Sequence, residues 1–199
     1  MTENGKGRQG LRIIVYGPSK TGKTVCIGAL ASIGLNLAKS DALLPYESFL
    51  GLKAGSWAER RPGSLAEATK IMRSEGPSYP VVYLDDLSVL VDLSFLDGNW
   101  NRLQDEVLDH LAAAEELNAL GIHVLWTAHE QPPRTSSGKS VRGGPKLPGQ
   151  WPETVSGLAS IVLRVVPEAT AAPWPFVFRS RPHGESPGWI GGDRVSVFP

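Results

Sequence analysis

The first residues whose types and spacing could do chemistry begin at Gly17. Gly17-Pro18-Ser19-Lys20-Thr21-Gly22-Lys23-Thr24 fits the phosphate-loop pattern G-x-x-x-x-G-K-[ST] at every fixed position. Glycines at Gly17 and Gly22 admit the backbone torsions that turn N–H groups toward an anion. A helix opening near Lys23 adds its partial positive end. Lys23 can reach the β- and γ-phosphates of a nucleotide, and the Thr24 hydroxyl is a ligand for Mg²⁺. The expected phosphate-binding segment is therefore Gly17, Pro18, Ser19, Lys20, Thr21, Gly22, Lys23, Thr24 and Val25. The Lys20 side chain reads as solvated.

Acids follow further along. Pro80-Val81-Val82-Tyr83-Leu84-Asp85-Asp86 is an apolar run ending in an acid pair. That pattern fits a buried parallel strand whose C-terminal end meets a ligand crevice. Asp85 is the expected partner of Mg²⁺. Asp86 is either the acid that activates water or a cap for the next helix. Ile122 to Glu130 reads as another buried strand, with His129 and Glu130 at its end. A polar side chain there either senses the γ-phosphate and orients water or merely satisfies a loop carbonyl. His123, at the start of that strand, reads as structural.

The stretch from Gln131 to Gln150 has no periodicity and reads as a mobile basic loop. It carries Arg134, Lys139, Arg142 and Lys146 and no acid, a local charge of about +4 suited to nucleic-acid phosphates. Trp151, just beyond, is either a base-stacking side chain or part of the core.

These groups need elements to hold them. Leu11 to Tyr16 is β-branched and apolar, a buried strand entering the phosphate loop. Cys26, Leu30, Ile33 and Leu37 recur at helical spacing and predict one helix leaving it. Ser40 to Leu52 holds a short strand or an irregular loop, since Pro45 disfavours a long central strand. Ser64 with Glu67 predicts a capping-box helix over about 65–74, ended by Gly76-Pro77. Leu103, Val107, Leu111 and Ala114 stripe a helix from Asn99 or Asn101 to Leu120, with Gly121 just past its end. Asp105, Glu106, Asp109, Glu115 and Glu116 read as its solvated face. Ser160 to Val166 is a strand, with Pro175 to Arg179 its hairpin partner.

The chain has 199 residues, with Lys+Arg and Asp+Glu both totalling 20, so any nucleic-acid contact must come from a local patch. Cys26 is the one cysteine, which precludes a disulfide within one chain and suits a reducing cytoplasm. No apolar run reaches the roughly eighteen residues of a membrane span. Residues 1–10 read as a flexible polar leader and 11–199 as a single domain.

Taken together, Gly17–Thr24, Val81–Asp86, the strand ending Thr127-Ala128-His129-Glu130, the Gly144–Gly149 segment and Arg179-x-Arg181 before Asp193-Arg194 resemble the short RecA-like P-loop ATPases encoded by bacteriophages. That group includes recombinases of the single-strand-annealing type. The resemblance implies an α/β fold: a mainly parallel central sheet flanked by helices, with a C-terminal β-hairpin region. It implies Mg²⁺-dependent ATP hydrolysis on single-stranded DNA, in phage recombination or replication in the host cytoplasm. The partners it implies are single-stranded DNA, further copies of the chain and a single-strand-binding protein. Lys23, Thr24 and Asp85 carry over by motif, and His129 takes the place of a polar sensor. Arg134, Lys139, Arg142 and Lys146 fall in the DNA-binding loop.

RecA-like active sites commonly lie between subunits. Arg164, Arg179, Arg181 and Arg194 are the residues available to reach across, or else surface and salt-bridge groups. The group's water-activating glutamate follows the strand after the phosphate-loop helix, where Glu47 is the nearest match. Glu47, Asp86 and Glu130 thus remain open for that role. Two other functions use the same motif: a nucleotide or small-molecule kinase, with the basic loop as lid, and a nucleotide-gated DNA-binding or assembly protein without turnover. A GTPase is disfavoured, because no N-K-x-D segment occurs.

Overall fold

The computed structural model describes residues 9–24, 33–38, 58–136, 139–167, 176–180 and 190–193. Val25, Cys26, Leu30, Glu47, Arg181 and Arg194 lie outside the described residues, so their expected roles have no structural counterpart here.

Strand β1, Arg12–Gly17, is followed by β2, Leu35–Ala38, and β3, Ala58–Arg60. Helix α1, Leu65–Glu75, leads to β4, Val81–Asp85, and then to α2, Leu87–Ser94, and α3, Trp100–Ala119. Strands β5, His123–Gln131, β6, Arg134–Ser136, β7, Lys139–Val141, and β8, Gly144–Pro145, come next. Helix α4, Trp151–Leu158, precedes β9, Ile161–Pro167, β10, Phe176–Arg179, and β11, Gly192–Asp193. Among the described residues these strands make a nine-stranded sheet in the order β10-β9-β1-β5-β4-β2-β3, with β8 on β5 and β11 on β9.

The central strands pair in parallel, β1 with both β5 and β9, and β4 with both β5 and β2. Parallel strands are covered on both faces, which is why β1 and β4 read as continuous apolar runs. Ile14, Tyr16, Leu84, Val124 and Trp126 sit in one core with Leu65 and Met72 of α1 and Leu103 and Leu111 of α3. The C-terminal ends of β1, β5 and β4 therefore meet at one edge of the sheet. β10 turns back antiparallel on β9, the hairpin that the sequence predicts.

Local signals place the helix ends well. The Ser64 side chain accepts from the Glu67 amide at 3.2 Å, while Glu67 reaches the Gly63 amide at 2.7 Å, one residue before the cap. Asn99 caps α3 by accepting from Arg102 N–H at 3.1 Å. Gly121, at φ +84°, closes that helix as a Schellman turn, with Gly121 N–H to Asn118 O and Ile122 N–H to Leu117 O both at 3.0 Å.

Two expectations are corrected. Ile33 and Leu37 do not lie on a helix: Ile33 sits in an exposed turn, and Leu37 is buried in β2, paired with Leu84 and Arg60. Leu, Asn and Ala in β2 carry no β-branched signal, and sheet pairing on both sides overrides their helical spacing. The stretch 131–150 is not a structureless loop. β5 runs on to Gln131, β6 and β7 form a two-stranded hairpin, and β8 pairs back onto β5.

A buried polar chain ties the sheet to two helices. Trp126 Nε1–H donates to His110 Nε2 at 2.9 Å. His110 Nδ1 lies 3.0 Å from the Thr69 hydroxyl, which donates to Leu65 O at 2.8 Å. Burial drives the His110 pKa down from 6.5 to about 4, because an imidazolium would lose hydration and could not accept from Trp126. The unfolded chain takes up this proton near pH 6.5 and the folded chain only near 4, so acid favours unfolding between those values. Stability from this group is complete above pH 6.5 and falls as the pH drops toward 4. Urea unfolding should show a loss of roughly 2 kcal/mol from pH 7 to pH 5. His110→Gln, which keeps an acceptor but does not titrate, should lose most of that slope. An equal slope in that variant would assign the effect elsewhere.

Candidate functional site

The phosphate loop leaves β1 at Gly17 and turns into a helix at Lys23. Positive φ falls on Lys20, at 62°, and Gly22, at 70°. Gly17 serves a different need from the torsional freedom expected of it. A Cβ there would lie 2.8 Å from the backbone oxygen of Val165 on β9, so glycine lets β1 and β9 approach. Gly17→Ala is expected to cost about 1–3 kcal/mol in urea unfolding, because backbone cannot yield as a side chain can. Thr21 donates to Pro18 O at 2.8 Å and closes the loop. Lys20 is exposed, as expected.

Lys23 is only 7 % exposed. Its ammonium donates to Pro18 O at 2.8 Å and Gly17 O at 3.1 Å, which holds it across the loop. Burial lowers its pKa, while Asp86, Asp85 and Glu130 pull it back up. A cation so placed, with only weak carbonyl partners, is set to exchange them for phosphate oxygens.

The acid end of β4 is brought to the loop across β5. Asp85 Oδ2 accepts from the Thr24 hydroxyl at 2.9 Å, although the two residues are 61 apart in sequence. Asp85 Oδ1 accepts from the Thr127 hydroxyl of β5, the strand lying between β1 and β4. Thr127 has no motif of its own. Its one sequence signal is its place two residues before His129 on a buried strand. Among the described residues no group of three His, Cys, Asp or Glu side chains could hold a metal ion by itself. The Thr24–Asp85 pair instead suits Mg²⁺, a hard ion that brings water and phosphate oxygens of its own.

Asp86 takes the capping place that was one of its two expected roles. Its Oδ1 accepts from the Ser88 amide at 2.7 Å and so caps α2. Its Oδ2 faces His129 Nε2 at 3.7 Å. Burial raises the Asp86 pKa; His129 opposes the rise, Asp85 adds to it, and the Ser88 amide and Lys23 oppose it. His129 lies opposite Gly17 in the β1–β5 register, and its own amide donates to Ser88 Oγ at 3.1 Å. Lys23, Thr24, Asp85, Asp86 and His129 are thus brought together at one edge.

The remaining candidates go elsewhere. Glu130 is held by Arg164 at 3.1 Å, both side chains only 17 % exposed, so this pair takes up a proposed water activator and a proposed trans-acting arginine at once. Arg179 stands directly across from Arg164 in the β9–β10 register. Lys146 pairs with Asp92 of α2 at 3.1 Å, which neutralises part of the expected basic patch. Arg134 is exposed on β6; Lys139 is placed on β7 by its backbone alone; Arg142 is exposed between β7 and β8. Trp151 is 9 % exposed and packs in the core, so the base-stacking role is withdrawn for it. His123 is structural as expected, its Nδ1 accepting from Leu11 N–H at 3.0 Å.

This arrangement of strands and loop has counterparts among solved structures. The RadB recombinase superposes with a TM-score of 0.56 at 17% identity, over 79% of this chain and 75% of that one. The flagellar accessory protein FlaH from Methanocaldococcus jannaschii superposes with a TM-score of 0.53 at 16% identity, over 80% of this chain and 72% of that one. The fold is RecA-like. No protein-family model matches the chain, and no curated protein sequence does. The order of the sheet accounts for the meeting of Thr24 with Asp85, since β5 lies between β1, which leads into the loop before Thr24, and β4, which ends at Asp85. No described helix is long and apolar enough to cross a membrane.

Proposed function

We propose that the chain binds ATP with Mg²⁺ at Gly17–Thr24 and hydrolyses it, acting on single-stranded DNA as an assembly of several copies. The observation that carries this reading is the Thr24–Asp85 hydrogen bond at 2.9 Å. It joins the hydroxyl of the phosphate loop to a carboxylate from another strand, the oxygen set a nucleotide-bound Mg²⁺ requires. Lys23, Gly22 and the loop amides hold the β- and γ-phosphates. Thr24 and Asp85 hold the metal, with Thr127 fixing the carboxylate. Bound Mg²⁺ supplies charge neutralisation on the phosphates. Asp86, whose Oδ2 faces His129 at 3.7 Å, is the first choice for the acid that orients water. Glu47 stays a second choice for that acid, and Glu130 a third because Arg164 engages it.

The RadB neighbour is named a recombinase, which favours DNA as substrate and a role in recombination or replication. The β6–β7 hairpin, with Arg134 and Lys139, is the proposed DNA contact. Arg179 and Arg181 are proposed to reach a neighbouring copy, and a single-strand-binding protein is a proposed partner. A phage origin and a cytoplasmic setting belong to the same reading. The nucleotide-gated alternative, binding without turnover, is favoured by the engagement of Glu130 with Arg164.

ATP hydrolysis measured with and without single-stranded DNA, at two salt concentrations, tests the proposal. Turnover that rises with DNA and falls steeply with salt is expected. ATP-dependent DNA binding with no turnover would select the gated alternative. Phosphate transfer to an added nucleoside would select a kinase.

A further inference from the structure

Each carboxylate oxygen of Asp85 accepts from a hydroxyl. Oδ2 accepts from Thr24 of the phosphate loop at 2.9 Å, and Oδ1 accepts from Thr127 of β5. The two donors arrive from different elements and differ in freedom. Trp126 pairs with Leu84 in the β4–β5 register, which sets Thr127 beside Asp85, and Thr127 pairs with Val15 on the β1 side. Thr127 is 0 % exposed, while Thr24 and Asp85 are half-buried. Thr24 rides on the phosphate loop, whereas Thr127 is fixed by strands on both sides.

This grip limits what Asp85 can offer an ion. A hydroxyl on each oxygen takes a lone-pair direction and sets the plane of the carboxylate, so turning both oxygens onto one ion breaks a charge-assisted hydrogen bond. Among the described residues no group of three His, Cys, Asp or Glu side chains stands ready to supply further ligands. Ca²⁺ takes about six to eight oxygens in flexible geometry and readily uses a carboxylate through both of its oxygens. Mg²⁺ is smaller, keeps several waters and is served by a carboxylate together with substrate phosphates.

We propose that Thr127 sets the divalent-ion preference of the nucleotide site, favouring Mg²⁺ over Ca²⁺ by keeping Asp85 from chelating. Thr127 is a positioning residue and acts through Asp85. With Thr127 on Oδ1, the carboxylate is left with its Oδ2 edge toward Thr24, which suffices for an ion that brings its own waters. Without that donor, Oδ1 is free to turn beside Oδ2, the arrangement that Ca²⁺ uses. The inference rests on the nucleotide reading and goes beyond it in naming what selects the ion.

The test measures the equilibrium affinity of the full chain for a fluorescent ATP analogue, once in Mg²⁺ and once in Ca²⁺, and needs no turnover. The unaltered chain is expected to bind about tenfold tighter with Mg²⁺. Thr127→Val keeps the shape and removes the donor; it should abolish most of that preference, through tighter binding with Ca²⁺. Thr127→Ala is a second variant without the donor and should do the same. Thr127→Ser keeps a hydroxyl and should hold the preference within about twofold of the unaltered chain. An unchanged preference in either donor-free protein, an equal loss in Thr127→Ser, or a loss that comes only from weaker binding with Mg²⁺ would overturn the proposal. Equal affinity with both ions in the unaltered chain would overturn it too, while leaving the nucleotide reading in place. Failure of the folded, unaltered chain to bind the analogue with either ion would overturn both.

Discussion

Lys23→Ala is expected to lower ATP turnover by roughly a hundredfold or more, the scale seen when one preorganised charge is removed from a reacting phosphoryl or acyl group. The geometry makes the effect large. Lys23 is almost wholly buried, and its ammonium is already held over the loop by the Gly17 and Pro18 carbonyls. ATP binding, followed by a fluorescent nucleotide, should weaken in parallel. The fold should survive, because the lysine's partners are loop carbonyls that water can satisfy. Unchanged turnover in a folded Lys23→Ala protein would sink the proposed ATPase. Lys23→Arg is a useful companion: a planar guanidinium does not reproduce the compact ammonium, so little recovery is expected.

Asp86→Asn should separate binding from turnover. Asparagine remains a good helix cap, so the contact with the Ser88 amide and the start of α2 persist. What disappears is the negative oxygen facing His129 at 3.7 Å. Nucleotide affinity should stay within about threefold, while hydrolysis falls about a hundredfold, the lower end of what a positioned base contributes. Full turnover in Asp86→Asn would move the role to Glu47 or Glu130. Glu130→Gln then discriminates, although it also releases Arg164 and is read beside the Arg164→Gln protein.

Some of this was legible in the chain itself. Gly17 to Thr24 could be read because the phosphate loop works through consecutive residues: backbone amides, one lysine and one hydroxyl on a single turn. Ser64, Asn99 and Gly121 were legible for the same reason, since each cap satisfies backbone groups within a few positions of its own. The strands at Val81–Asp85 and His123–Gln131 showed in their apolar runs, because burial on both faces leaves no alternation to blur them.

Partners far apart in sequence were mostly not legible. The motifs already set Asp85 with Thr24 as joint metal ligands, but that Asp86 faces His129 follows only from the order β1-β5-β4. Thr127 gained its role from the strand that β5 happens to sit beside. Glu130 met Arg164, Lys146 met Asp92, and Trp151 entered the core, each through packing between elements that local spacing cannot register. His110 is the plainest case. On the helix it is one more polar residue among acids, and in the folded chain it is a buried acceptor for Trp126. Local backbone chemistry therefore determined that this chain carries the phosphate-loop pattern, while the crossing of strands decided which side chains surround it. Short-range hydrogen bonding is set by adjacent residues, but a carboxylate's partner is set by the pairing of the whole sheet.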